Sequence, residues 1–230
     1  MPGLNGIFSS HRACFSVWNS ARMPIRVAIV DDDAAYAESI QWLLNNSPRF
    51  ECVGVSRSGE EALERLPPLQ PSVVLLDIEM GGRSGPECVA PLKARLPETQ
   101  ILMLTVFEDY DRIFDSLRAG AMGYLLKRTA PDELLDAIED LHRGGSPMSS
   151  AIARKVVVAF HENGLTAREK EILQARARGR RYKEIAADLN LSYHTVRTHL
   201  NNVYKKLHTE SSGKGARRPK LRPPPTPGRG

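Results

Sequence analysis

Three consecutive acids, Asp31-Asp32-Asp33, follow the short apolar run Val27-Ala28-Ile29-Val30. A fourth acid, Asp77, follows Val73-Val74-Leu75-Leu76; Thr105 closes Ile101-Leu102-Met103-Leu104, and Lys127 follows Gly123-Tyr124-Leu125-Leu126. Carboxylates that converge on one point repel one another unless a cation sits among them. An all-oxygen set of this kind suits Mg²⁺, which takes one or two carboxylates and keeps several waters. A lysine and a hydroxyl nearby add donors for an anion held beside the metal. Metal, anion donors and an available carboxylate together describe phosphoryl transfer onto an aspartate. Each residue alone has a plainer reading, since acids after a strand often cap helices, and Asp33 reads as such a cap. Their shared position at strand ends favours the chemistry.

The elements that must position these groups follow from hydrophobic periodicity. The four apolar runs, with Cys52-Val53-Gly54-Val55, read as five short buried strands. Between them, helical spacing appears at Tyr36, Ile40, Leu43 and Leu44, then over Ser58 to Leu66, with a stop at Pro67-Pro68. Further helices are expected over Ser84 to Leu96, Asp109 to Arg118 and Pro131 to His142. Strands alternating with helices imply an α/β, doubly wound five-stranded parallel sheet covered on both faces. In such sheets ligands bind outside the carboxyl ends of the strands, where the acids, Thr105 and Lys127 fall.

Residues 25–143 resemble the receiver domain of bacterial two-component response regulators, through the segments IVDDD, VVLLDIEM, MLTVFED and AGAMGYLLK. The resemblance implies a flavodoxin-like fold, with Asp77 as phosphoacceptor for a sensor histidine kinase. It implies Mg²⁺ held by the acidic pair Asp31 and Asp32, by Asp77 and by the Glu79 backbone carbonyl, with Asp32 and Asp77 as direct ligands. Thr105 and Lys127 would bind the phosphoryl group, and Tyr124 matches the aromatic whose rotamer follows phosphorylation. Gly81 stands where the family usually carries proline, Val106 where it carries a small residue, and Arg128 where it carries proline or an acid.

After Gly144-Gly145-Ser146-Pro147, a modest helical stretch covers 150–160. Thr166 with Glu169 fits a capping box opening a helix that buries Ile172 and Leu173 and ends at Gly179. A short helix carrying Ile185, Ala186 and Leu189 follows, and Ser192 caps a third with Val196, Leu200, Val203, Tyr204 and Leu207 in phase. Two short helices joined by a tight turn are helix-turn-helix logic. Residues 165–208, LTAREKEIL followed by YKEIAADLNLSYHTVRTHLNNVYKKLH, resemble the LuxR-type DNA-binding domain, which with the receiver identifies a NarL/FixJ-family response regulator. By position, Arg197, Thr198 and Asn201 are groove contacts, while Lys183, Tyr193, His194 and Thr195 are candidates for phosphate or sugar. The implied partners are a sensor kinase, double-stranded DNA read in the major groove, and a second copy of the chain after phosphorylation. Arg176 and Arg180 stand where the family is apolar, and an arginine in so small a core costs packing unless it snorkels outward. In the tail 211–230, seventeen of twenty residues are Ser, Gly, Pro, Lys or Arg, so a disordered segment is expected in place of the family's fourth helix.

The organisation expected is an unstructured extension over 1–23 (with Met23 as an alternative start), a receiver over 24–143, a linker over 144–163, a helix-turn-helix domain over 164–210 and the basic tail. Among 230 residues, 41% are hydrophobic and 26% charged, and there are only three cysteines. No run approaches the 18 or so apolar residues of a membrane span, so a cytoplasmic protein with no membrane partner is expected. The net charge of +5 divides into −6 for residues 1–164 and +11 for 165–230, an acidic half and a nucleic-acid-binding half. The function expected is phosphorylation-dependent transcription regulation. The alternative is a phosphorelay or interaction protein with a degenerate DNA-binding domain. An enzyme is not expected: Asp77-x-Glu79 is similar to the paired acids of haloacid dehalogenase-type phosphatases, which place theirs after the first strand.

Overall fold

The computed structural model describes residues 23–106, 110–159 and 164–209. The extension over 1–22, Asp109, Phe160 and the tail with its expected loss of a fourth helix lie outside the described residues.

Five parallel strands form one sheet in the order β2-β1-β3-β4-β5: β1 (Ile25–Val30), β2 (Phe50–Ser56), β3 (Val73–Leu76), β4 (Gln100–Thr105) and β5 (Gly123–Leu126). Because side chains alternate across a strand, one sequence run supplies both faces. Ala28, Val30, Val74, Leu76, Ile101 and Met103 face α2 (Gly59–Leu69), α3 (Gly85–Arg95) and α4 (Tyr110–Arg118). Val27, Ile29, Val73, Leu75, Leu102 and Leu104 pack with α1 (Ala34–Asn45) and α5 (Pro131–His142). The strand order reverses direction between β1 and β3, which places Asp31 and Asp77 side by side at the switch point.

One boundary departs from expectation. α2 does not stop at Pro67-Pro68 but runs through both to Leu69. Pro67 has no N–H to give the Leu63 carbonyl one turn back. The Arg95 guanidinium of α3 donates to that carbonyl instead, so the acceptor that Pro67 leaves open is satisfied.

The carboxyl-terminal helices are α6 (Ser150–Ala159), α7 (Ala167–Ala177), α8 (Tyr182–Asp188) and α9 (Tyr193–Thr209). Ile172, Leu173, Ile185, Val196, Leu200 and Val203 are fully buried among them. Asn190 takes a left-handed φ of 51° at the turn between α8 and α9, and the Ser192 hydroxyl accepts from the Thr195 N–H at 2.9 Å to start the latter. No described helix is long and apolar enough to cross a membrane.

The capping box at the start of α7 forms as expected. The Thr166 hydroxyl accepts from the Glu169 N–H at 3.3 Å, and Glu169 accepts from the Thr166 N–H at 2.7 Å. Lys206 of α9 donates to the same carboxylate at 2.6 Å, tying the first helix of the domain to the last. Burial alone would raise the Glu169 carboxyl, but Lys206 and the two groups of Thr166 together hold it below the ordinary range. This stabilisation is therefore present above the unfolded value of about 4.3 and lost as pH falls through the lower folded value. Glu169→Gln should cost about 1 kcal/mol at pH 7, with the gap from wild type narrowing under acid in urea melts.

Candidate functional site

The site is assembled at the carboxyl edge of the sheet. Asp31, Asp32 and Asp77 place carboxylate oxygens within 4.8 Å of one another, with Asp31 and Asp77 buried and Asp32 exposed. Asp33, immediately after them, caps α1 by accepting from the Tyr36 N–H at 3.1 Å, so only the first two acids of the run stay in the cluster. The Lys127 ammonium lies between the two buried acids, 2.7 Å from Asp31 Oδ2 and 2.8 Å from Asp77 Oδ2. The Tyr36 ring sits under the same ammonium, 4.7 Å from centroid to Nζ.

Burial opposes the charge on Lys127, yet its bonds to Asp31 and Asp77 outweigh burial and hold it above the ordinary lysine range. Asp31 moves upward too, because burial and repulsion from Asp77 exceed the pull of Lys127. The remaining oxygens are tethered by backbone. Asp77 Oδ1 accepts from the Ile78 N–H at 2.6 Å, Asp31 Oδ1 from the Asp33 N–H at 3.0 Å, and Asp32 Oδ2 from the Gly81 N–H at 3.1 Å.

A cleft of ≈ 1020 Å³ opens onto Asp32, Asp77 and Lys127 and is walled by Glu79, Met80 and Val106. Across its mouth Arg112 of α4 pairs with Glu79. Thr105 ends β4 beside the cluster, and its carbonyl accepts from the Lys127 N–H at 2.7 Å. Tyr124 is fully buried within β5. Gly85 explains the closeness of α3: a side-chain carbon there would lie 2.0 Å from the Asp77 carbonyl oxygen. The site thus combines hard oxygen donors, an ammonium and an accessible carboxylate, the requirements for divalent-cation and anion binding.

The side chains read from the sequence as DNA contacts divide between a contact with residues 140–146 and solvent. Arg197 of α9 points into the sheet domain, its Nε 2.7 Å from Asp140 Oδ1 of α5. Its guanidinium also donates to the carbonyls of Asp140 and Arg143. Tyr193 Oη donates to Asp140 at 3.2 Å, and Asn201 meets Ser146 Oγ at 3.1 Å and the Gly144 carbonyl at 3.4 Å. Burial, only partly offset by Arg197, Tyr193 and Arg143, raises the Asp140 carboxyl above its ordinary range. Lys183, His194 and Thr198 remain exposed and Thr195 is half-buried.

The receiver-domain family model for response regulators matches residues 27–139, and the model for bacterial regulatory proteins of the luxR family matches 163–217. The chain is 34% identical over 197 residues to the uncharacterized transcriptional regulatory protein YxjL of Bacillus subtilis, covering 81% of this chain and 90% of that protein. This chain belongs to the LuxR-type response regulators. It is also 35% identical to the nitrate/nitrite response regulator protein homolog of Haemophilus influenzae, covering 81% and 92% of the two chains. A crystal structure of a LuxR-family two-component response regulator from Aurantimonas superposes with a TM-score of 0.58 at 26% identity, over 61% of this chain and 100% of that one. The family consists of transcription regulators that bind DNA, not enzymes.

For this response regulator the structure corrects one expectation. Arg176 does not snorkel outward and does not disrupt the core: the residue is 5% exposed and its guanidinium is hydrogen-bonded on three sides. Arg180 lies outside the core, paired with Asp188 at 2.7 Å. The argument for a degenerate DNA-binding domain from these two residues therefore falls.

Sequence reasoning missed Asp140, Arg112 and Gly85. Nothing in the local pattern of α5 marks Asp140, whose partners Arg197 and Tyr193 lie more than 50 positions away. Lys127→Met should strand two buried carboxylates without their cation and lower stability by about 3 kcal/mol. Urea unfolding at pH 7 measures this, and an unchanged midpoint would contradict the assigned role of the ammonium.

Proposed function

We propose that this regulator is switched by phosphorylation of Asp77, with a sensor histidine kinase as donor. The observation that carries the reading is the position of Lys127, bonded at once to Asp31 and Asp77 where the cleft opens. An Asp77 oxygen forms the new P–O bond as the P–N bond of the donor phosphohistidine breaks. Lys127 then meets a dianionic phosphoryl group in place of one carboxylate oxygen, and Thr105 lies at the neighbouring strand end to bind it.

Mg²⁺ fits the residues present: Asp32, Asp77 and the Glu79 carbonyl would hold it, with Asp31 beside them. The cation supplies neutralisation of the phosphoryl oxygens as charge gathers there. Mg²⁺ should raise the melting temperature of the wild-type chain, and Asp32→Asn should abolish most of that rise.

In the resting chain the Arg197 guanidinium is occupied by the Asp140 carboxylate and by carbonyls at the end of α5, the negative end of that helix. These are the kinds of acceptor that phosphates and base edges offer in a major groove. Asn201 and Tyr193 are similarly engaged. The closed arrangement thus competes with DNA for the same side chains, and phosphorylation shifts the population toward a form with α9 free. A second copy then completes binding to paired half-sites.

Treatment with acetyl phosphate should raise affinity for a DNA fragment selected by the chain from a random-sequence library by about tenfold or more in bandshift titrations. Asp77→Asn should remove the response. An equal affinity with and without treatment in the wild-type chain refutes the proposal.

A further inference from the structure

We infer that Arg176 is the residue that clasps the DNA-binding domain to the receiver, by way of the connecting segment, and so sets how closed the resting state is. The inference rests on the closed-to-open reading above. It concerns a contact separate from the DNA-reading side chains of α9.

Residues 144–149 are not a slack tether. Met148 forms a parallel bridge with Tyr124, with the Tyr124 N–H donating to the Pro147 carbonyl at 3.0 Å and the Ser149 N–H to the Tyr124 carbonyl at 3.1 Å. The segment therefore prolongs the sheet past β5. Its other side is bound by the carboxyl-terminal helices. Tyr204 Oη donates to the Pro147 carbonyl at 2.9 Å, and Tyr182 Oη donates to the Ser146 carbonyl at 3.2 Å while accepting from the Met148 N–H at 2.9 Å.

Arg176 joins these layers. Its Nε donates to the Met148 carbonyl at 2.6 Å, one terminal nitrogen donates to the Arg180 carbonyl, and the other pairs with Glu133 of α5 at 2.5 Å. The Tyr182 ring lies 5.5 Å from the guanidinium carbon. One planar fork thus touches its own domain, the connecting segment and the receiver, which neither leucine nor lysine can do with the same geometry. The arginine that looked like a packing fault for its helix has its explanation in the contact between domains.

The test uses the full unphosphorylated chain. Arg176→Leu places an apolar side chain against the small core and removes the fork; Glu133→Ala removes only the receiver's half of the ion pair. Both should enlarge the radius of gyration in small-angle scattering and raise DNA affinity without phosphorylation, by roughly tenfold for Arg176→Leu and less for Glu133→Ala. Helical content should stay at the wild-type level. In the Arg176→Leu background, Glu133→Ala should add nothing.

Scattering and affinity both unchanged from wild type in the two variants would overturn the clasp. If Arg176→Leu fails to fold, Glu133→Ala alone decides, because that side chain is 36% exposed and belongs to neither core cluster. Expansion in scattering without any gain in DNA affinity would support the clasp and overturn the occlusion reading on which it rests.

Discussion

Asp31 and Asp77, buried at neighbouring strand ends, would repel each other and forfeit hydration if nothing lay between them, and the Lys127 ammonium is what makes the arrangement tenable. That ammonium is delivered from the end of β5, two strands away from β3, so the pair requires β4 and β5 to be in place. The sheet and the site are therefore one construction. Gly85 belongs to the same constraint, since α3 can start against the Asp77 carbonyl only where no side chain intervenes. The backbone donors of Ile78, Asp33 and Gly81 complete it by fixing where the carboxylate oxygens point.

The same edge of the sheet also governs the carboxyl-terminal half. β5 supplies Lys127 at its end and, three residues earlier, the backbone of Tyr124 to which the connecting segment is bonded. Lys127 thus directly follows the strand that holds residues 147–149. Helix α9, for its part, meets α5 through the Arg197–Asp140 pair. The Lys127–Asp77 pair and the contacts of the carboxyl-terminal helices thus meet on β5 and α5.

Much of this was legible in the residue pattern. Short apolar runs followed by acids, Thr or Lys predict both the parallel sheet and the convergence of Asp31, Asp32, Asp77 and Lys127, because strand-end position is a local property. The helix-turn-helix was legible for the same reason: caps at Thr166 and Ser192 and the phase of Val196, Leu200 and Val203 are local signals. What was not legible depends on partners distant in sequence. Pro67 of α2 is accommodated in the helix because Arg95, 28 positions beyond it, occupies the carbonyl it orphans. Arg176 reads as a defect until Glu133 and Met148 are beside it. Arg197 reads only as a groove contact, because nothing local announces its pairing with Asp140.

The bridge between Tyr124 and Met148 has a consequence for how such chains can be recombined. Pairing to a strand edge has a period of two residues, so one residue inserted between Gly145 and Met148 would turn the segment's alternate groups to the wrong side. Length in this stretch is then a matter of parity and not of reach. A hybrid joined before Gly144 would import a foreign edge segment onto β5 and lose its partners on one side. One joined within α6 would carry the whole seam intact, but would need Arg176 and Tyr182 from the same parent as the seam they bind.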